Sequence, residues 1–476
     1  MSHNANKHFL LPALALNLAL ILLAMPDTVV NSQRGAGATP AHFKFGRLPV
    51  PKKGMPQKIT GPAAAGDLDP TFGAGGKMTI DFSRREVGTA VVVQPDGKIV
   101  AAGYAGIVAY SNGSWTNTID LDFAVLRYNV DGSLDASFDG DGKVTTDFAS
   151  DIDVVHAVAI QPDGKIIAAG SADVTTPNSS TAALVRYNTD GSLDTSFGTG
   201  GKVVTEEHQG IYDIAIQTDG KIIAAGYDFK IARYTVDGSL DSSFGTGGIV
   251  QTFYSYYSVA SSVAIQADGK IVAAGYSGAC DNMDPIENCF SFFAIARYNA
   301  NGSPDASFNG DGRFGTSFRQ HAGAADVVVQ ADGKIVGAGS THACDVYNSE
   351  YICHSFDLAF VRINVDGSLD TSFDGDGNVT LDLGDNREGA SAVAIQSGGR
   401  IVVSGFTQVG ASHDFALARL NTDGSIDPTF DQDGKLTTDF GGSEGIGDIA
   451  IQADGKIIAV GNTERDSKIE FALSRY

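Results

Sequence analysis

From Asp67 to the last residue, Tyr476, hydrophobic residues fall in short alternating runs, each stopped by Asp, Asn and Gly. One stretch shows the grammar. His156 to Gln161 (HAVAIQ) alternates small and branched residues, Asp163-Gly164 makes a turn, and Lys165 to Gly170 (KIIAAG) returns. A variable stretch leads to Ala183 to Asn188 (ALVRYN), then the turn-rich Asp190 to Gly201 (DGSLDTSFGTGG), then Lys202 to Glu206. Period-two alternation broken by Asp-Gly predicts four antiparallel strands, here termed a, b, c and d. No segment of helical length carries apolar residues at i, i+3 and i+4, so the body is predicted to be all-β.

This unit recurs. Gln-x-x-Gly-(Lys/Arg)-Ile begins at Gln94, Gln161, Gln217, Gln266, Gln330, Gln396 and Gln452, at intervals of 49 to 67 residues. A second anchor opens at Arg127, Arg186, Arg233, Arg297, Arg362 and Arg419, and in truncated form at Arg475. Such a period indicates a propeller or a solenoid. The ends decide between them. Residues 67–82 (DLDPTFGAGGKMTIDF) match a c-to-d turn and a strand d with no a, b or c before them, whereas the C terminus has no strand d. A solenoid keeps two free sheet edges; a propeller that shares one blade between its termini buries both. The expected fold is a seven-bladed β-propeller of four-stranded antiparallel blades, closed by the N-terminal strand completing the last blade.

The motifs IQPDGKIIAAG and RYNTDGSLDTSFGTGGKV, with their copies over about 410 residues, resemble the delta-60 repeat family of bacterial exported proteins. The resemblance implies a propeller and an exported location. It implies no activity, and no family site residue can be carried over.

Charge and composition narrow the function. Lys+Arg 33 against Asp+Glu 56 gives a net charge of -23, which argues against nucleic acid as a partner. Residues 1–66 hold seven Lys/Arg and one Asp, so the remaining 26 basic and 55 acidic residues make the body more acidic still. The N terminus runs from Lys7 into the apolar Phe9 to Met25, the order of a secretory signal, so 1–25 is read as a signal peptide or N-terminal anchor. Residues 26–66 are basic, Pro/Gly-rich and without alternation, and read as a linker; 67–476 is the propeller. Beyond that anchor no membrane insertion is expected.

What every blade shares reads as architecture. The seven Arg residues are expected to pair with an Asp of the nearby Asp-Gly-Ser-Leu-Asp turn. Asp139, Asp141, Asp374 and Asp376, in turns of the form Asp-Gly-Asp-Gly, invite a weak calcium reading, but equivalent turns carry Gly, and tolerance of left-handed backbone explains both. No other cofactor is expected. No Gly-x-Ser-x-Gly, Gly-x4-Gly-Lys-(Ser/Thr) or His-Glu-x-x-His occurs, so nothing in the sequence argues for an enzyme.

What differs between blades reads as function. The b-to-c and d-to-a connections share one face, and the b-to-c loop is long in blade 1 (Tyr104 to Leu121), blade 4 (Ser277 to Ser291) and blade 5 (Ser340 to Ser355) but nearly absent in blade 3. Aromatic residues gather there: Tyr110, Trp115, Tyr254, Tyr256, Tyr257, Tyr347 and Tyr351, with Phe290 and Phe292 beside them. At the channel mouth the second position of strand a is Asp213, Asp326 and Asp448 in blades 3, 5 and 7; with His156 and Tyr212 these could meet a cation or polar ligand. Cys280 and Cys289 in blade 4 and Cys344 and Cys353 in blade 5 share the spacing Cys-x8-Cys, which favours one disulfide within each loop over a zinc site. The expected function is an exported binding scaffold that engages a protein or glycan. A polysaccharide hydrolase or lyase and a structural surface protein are the alternatives.

Overall fold

The computed structural model describes residues 65–476 except 83–84, 112–113, 150–151, 175–179, 255–256, 281–288, 348–349, 385–386 and 467. The expected signal and linker lie outside the described residues, among which no helix is long and apolar enough to cross a membrane. Seven four-stranded antiparallel sheets follow one another, each ordered a-b-c-d. The a strands contact one another in a closed ring, from Arg85–Val93 of blade 1 to Ser443–Ile451 of blade 7. In blade 7 strand d is the N-terminal Lys77–Ile80, paired with strand c as Lys77↔Ser474 through Ile80↔Phe471. The fold is the seven-bladed propeller that the sequence predicts.

The core is seven interfaces rather than one centre. Each apolar cluster joins two neighbouring blades: Phe123 and Val125 of blade 1 pack with Ile166 and Val185 of blade 2, and Phe72, Ile458 and Phe471 of blade 7 pack with Ile99 and Leu126 of blade 1. Strands b and c lie between two neighbours and are apolar on both faces, hence runs such as Ile-Ile-Ala-Ala.

A β-bulge interrupts strand a in all seven blades, for example between Val155 and Ala157. It pushes a carbonyl onto strand b, where only glycine fits: a Cβ on Gly170 would stand 1.9 Å from the Val154 oxygen. The bulge also shifts the phase of alternation. Strand a therefore begins earlier than its sequence pattern suggests, at Asp153 rather than His156 in blade 2.

The repeated arginines hold blade to blade. Each Nε donates to an Asp eight residues on, Arg127 to Asp135 at 2.7 Å being typical, and in blade 7 Arg475 reaches Asp69 at 2.9 Å. Each guanidinium also stacks on a Phe ring, 4.5 Å away for Arg362 over Phe373 and 4.8 Å for Arg419 over Phe430. Its Nη1 then crosses to a carbonyl of the next blade's turn: Arg127 to Thr189, Arg233 to Ala300, and Arg475 to Val130 around the closure. In blade 6 the Arg419 Nη1 donates to Gln396 Oε1 at 3.2 Å, as Arg186 Nη1 does to Gln161 Oε1 at 3.3 Å. Burial by itself would raise the Asp135 carboxyl. Hydrogen bonds from Ser137, Lys98 and Arg127 outweigh it and hold this carboxyl well below its usual value.

Candidate functional site

Among the described residues the long b-to-c connections are largely strand. Strands b and c of blade 1 run on as Ile99–Ser111 and Ser114–Tyr128, those of blade 5 as Ile335–Tyr347 and Glu350–Ile363, and those of blade 4 as Ile271–Cys280 and Cys289–Tyr298. Blade 3 has only Ile222–Gly226 and Lys230–Tyr234. Blades 1 and 5 thus project long two-stranded ribbons from one face, and blade 4, like blades 6 and 7, a shorter one. The sequence hid them because these stretches show no clean apolar alternation to mark a strand. Pairing continues to Tyr110↔Trp115, Cys280↔Cys289 and Tyr347↔Glu350, in unbroken register in blade 4 but with a shift at Val108/Tyr110 in blade 1 and at Thr341/Ala343 in blade 5.

The ribbons of blades 4 and 5 are braced. A disulfide joins Cys344 to Cys353 across the blade 5 ribbon, the pairing within one connection that the spacing predicts. It also removes Cys344 from the zinc alternative, and from the group it forms with His321 and His342. The side chains of Cys280 and Cys289 lie outside the described residues. Gln320, in the d-to-a turn between these blades, accepts the Ser291 N–H through its main-chain carbonyl at 3.2 Å and the Cys344 N–H through Oε1 at 3.0 Å. One residue therefore ties both ribbons to the turn between them.

The aromatic residues separate into two sets. Tyr254 is turned inward: its ring meets Phe229 and Phe292, and its hydroxyl donates to the Ile295 carbonyl at 2.6 Å. Tyr257 packs edge-on against Tyr276, with ring centroids 6.1 Å apart, and remains partly exposed. Phe290 is half exposed, whereas Phe292 packs against Tyr254. The side chains of Tyr110, Trp115, Tyr347 and Tyr351, and all of Tyr256, lie outside the described residues. A group the sequence reading missed stands at the base of the blade 5 ribbon, where His321, His342 and Phe356 stack with centroids 4.9 and 4.7 Å apart. Burial pushes His342 down to about 4, so this stack is neutral at pH 7. Its only sequence signal was the facing pair His321↔His342, visible once the register is known.

Asp213, Asp326 and Asp448 come together on the innermost strands, part-way along the channel rather than at its mouth, since strand a starts before them. Each sits at the bulge and binds backbone. Asp213 accepts the N–H groups of Ile214 and, in the next blade, Val263 at 2.7 and 2.8 Å; Asp326 does so for Val327 and Val393, and Asp448 for Ile449 and Val91. Placed in alternate blades, three carboxylates cap the bulges of six.

Ser262 lies between two of them, its hydroxyl 2.6 Å from Asp326 Oδ1 and 3.0 Å from Asp213 Oδ2. A hydroxyl has one proton to share between these two acceptors. Burial first, and then the Asp326 carboxylate, push Asp213 up to about 7; burial, opposed by the Val91 bond and reinforced by Asp326, pushes Asp448 up to about 8. Beside them His156, Tyr212 and Tyr227 stack at 5.3 and 5.0 Å, and burial pushes His156 down to about 4. The three channel carboxylates thus bridge neighbouring innermost strands through backbone N–H groups.

The turn carboxylates do not converge. Asp139 and Asp374 occupy left-handed backbone, while Asp141 and Asp376 each accept a nearby backbone N–H, from Lys143 and Asn378. None of the four belongs to any group of converging ligand atoms among the described residues.

A family model described as "Domain of unknown function (DUF5122) beta-propeller" matches residues 94–138, 161–197, 217–244, 266–308, 355–373 and 396–430. No curated protein matches the chain in sequence. Among solved structures, virginiamycin B lyase from Staphylococcus aureus aligns over 84% of this chain and 98% of its own, at 12% identity and a TM-score of 0.44. The polysaccharide lyase Uly1 aligns over 82% and 89% at 13% identity and 0.43, and the WD40 propeller domain of Doa1 over 84% and 97% at 11% identity and 0.40. The family segments fall in six successive blades, most of them running from the a-to-b turn to the Phe of the c-to-d turn, and with the seven sheets they make this chain a β-propeller repeat protein.

Proposed function

We propose that the protein is an exported binding scaffold, its propeller of the delta-60 repeat type, and that the ribbon-bearing face holds a protein or glycan. The observation that carries this reading is the contrast between faces. Residues repeated in every blade are spent on blade-to-blade bonds, whereas strand extensions in blades 1, 4 and 5 project from one face, and in blade 5 a disulfide spans the extension. Pre-ordering such ribbons lowers the entropic cost of binding, and aromatic groups at their bases suit sugar rings or apolar side chains. The hydrolase or lyase alternative has less support, because Asp213, Asp326 and Asp448 each use both carboxyl oxygens to accept backbone N–H groups.

The test compares the full chain with a variant whose blade 4 and blade 5 ribbons are cut to the length of blade 3, using a glycan array and capture from culture supernatant. A ligand bound by the first and lost by the second, with thermal midpoints unchanged, supports the reading. Equal binding by both would refute it. Sequencing the N terminus of the native protein tests export: a protein in the medium lacking residues 1 to about 25 or 38 is expected, and an intact cytoplasmic Met1 form would contradict it.

A further inference from the structure

At the base of the blade 5 ribbon, nitrogen and sulfur donors converge: His321, His342 and Cys344 bring their ligand atoms within 4.8 Å of one another. The fold sets them there. His321 opens strand a and faces His342 of strand b across the ladder. The bulge between Thr341 and Ala343 falls on His342, and a bulge re-aims the side chain it carries. Cys344, two residues on, is 8% exposed, and its N–H is held by Gln320 Oε1.

Two observations set this group apart from packing. The first is that both imidazoles are uncommitted. A neutral imidazole offers one N–H donor and one lone pair, yet among the described residues neither ring has a hydrogen-bond partner, and each meets only its ring neighbours. The lone pair of a neutral imidazole is what a metal takes, and burial keeps His342 neutral at pH 7. The second is the state of the sulfur beside them. Cys344 is bonded to Cys353, and a disulfide sulfur lacks the negative charge that makes a thiolate a ligand. The oxidised ribbon therefore presents two nitrogen donors, and reduction adds a third donor to them.

We propose that reduction of the Cys344–Cys353 disulfide opens a zinc site made of His321, His342 and Cys344. A dithiol supplies the two electrons and two protons: the S–S bond breaks to two thiols and the dithiol closes to its own disulfide. The Cys344 thiol then gives its proton to solvent as the sulfur binds Zn2+. Two nitrogens and a thiolate suit zinc rather than calcium or magnesium, and water beside the partly exposed His321 completes the tetrahedron. Bonds of about 2.0–2.1 Å to nitrogen and about 2.3 Å to sulfur place tetrahedral donors roughly 3.4–3.6 Å apart, so the group draws in by at most about 1.4 Å. The histidine rings, now parallel to within 19°, reach the ion by turning about Cβ–Cγ, a broad torsion. The ribbon is thereby braced in either state, by the disulfide between strands b and c or by the metal between strands a and b.

Cys353→Ser tests this without a reductant, since it frees Cys344 and leaves Cys280 and Cys289 as they are. In calorimetric titration of ZnCl2 into the EDTA-treated full chain, Cys353→Ser should bind one Zn2+ more than oxidised wild type. Co2+ in its place should give the absorption of a cobalt–thiolate bond. Adding His342→Ala to Cys353→Ser should abolish both while circular dichroism stays unchanged. If Cys353→Ser does not fold, wild type reduced with dithiothreitol and desalted without oxygen should bind one Zn2+ more than His342→Ala treated alike. Equal zinc stoichiometry in the two proteins of either comparison, or zinc retained by the double variant, overturns the proposal.

Discussion

Replacing Asp69 by alanine removes the carboxylate that fastens the two ends of the chain together. Its Oδ2 accepts Arg475 Nε at 2.9 Å and meets Lys456 Nζ at 3.1 Å, and its Oδ1 accepts the Thr71 N–H and hydroxyl. Lys456 is partly exposed, so its pair adds less. Arg475 is 3% exposed, and without Asp69 its charge is left buried. Removing one partner of a buried pair costs about 3–5 kcal/mol. With an unfolding entropy near 2.1 cal/mol/K per residue over roughly 410 residues, the melting midpoint should fall by about 3.5–6 °C. Asp135→Ala breaks the equivalent pair in blade 1, where strand d is continuous with its own blade. Equilibrium losses should be similar, but only Asp69→Ala should speed hydrogen exchange in Phe471–Ser474, the stretch that pairs with the N-terminal strand. The folded Asp69 carboxyl is depressed, so its contribution is present above about pH 4 and is lost as pH falls below that; the two proteins should converge in acid. An Asp69→Ala protein within about 1 °C of wild type, or with unchanged exchange in Phe471–Ser474, would refute the closure argument.

Three further outcomes are expected. Tyr187→Phe breaks a buried 2.7 Å bond to Thr146 and should lose about 1 kcal/mol, whereas Tyr128→Phe removes a buried hydroxyl without a partner and should be neutral or stabilising; urea unfolding compares the pair. Gly170→Ala forces a Cβ toward the Val154 carbonyl and should destabilise by roughly 1–3 kcal/mol or more by the same measurement. Asp213 and Asp448 have raised folded values, so their stabilisation is full below about pH 4 and lost as pH rises through 7 and 8; Asp448→Ala, matching the alanine of blades 1, 2 and 6, should flatten the fall in stability over that range.

Blade number, strand order and closure were legible because they rest on period-two alternation, Asp-Gly turns and an N-terminal strand d with no blade of its own. The Arg–Asp pairs were legible because they recur at fixed spacing. The ribbons were not, since nothing in their sequence separates an exposed strand from a loop. The bulges broke the alternation at Val155/Ala157 and its equivalents, which moved Asp213, Asp326 and Asp448 from rim to interior. Tyr254 lies inside although its sequence context suggests a surface position, because the Ile295 carbonyl that holds it leaves no sign in the sequence.

The central claim is that repeated residues hold the ring while the ribbon face binds. Hydrogen exchange on the propeller with and without its captured ligand tests this most directly. Protection is predicted at Gly106–Leu121, Gly278–Ser291 and Thr341–Phe356, with the c-to-d turns unchanged. Protection confined to those turns, or to the outer d strands, would contradict it.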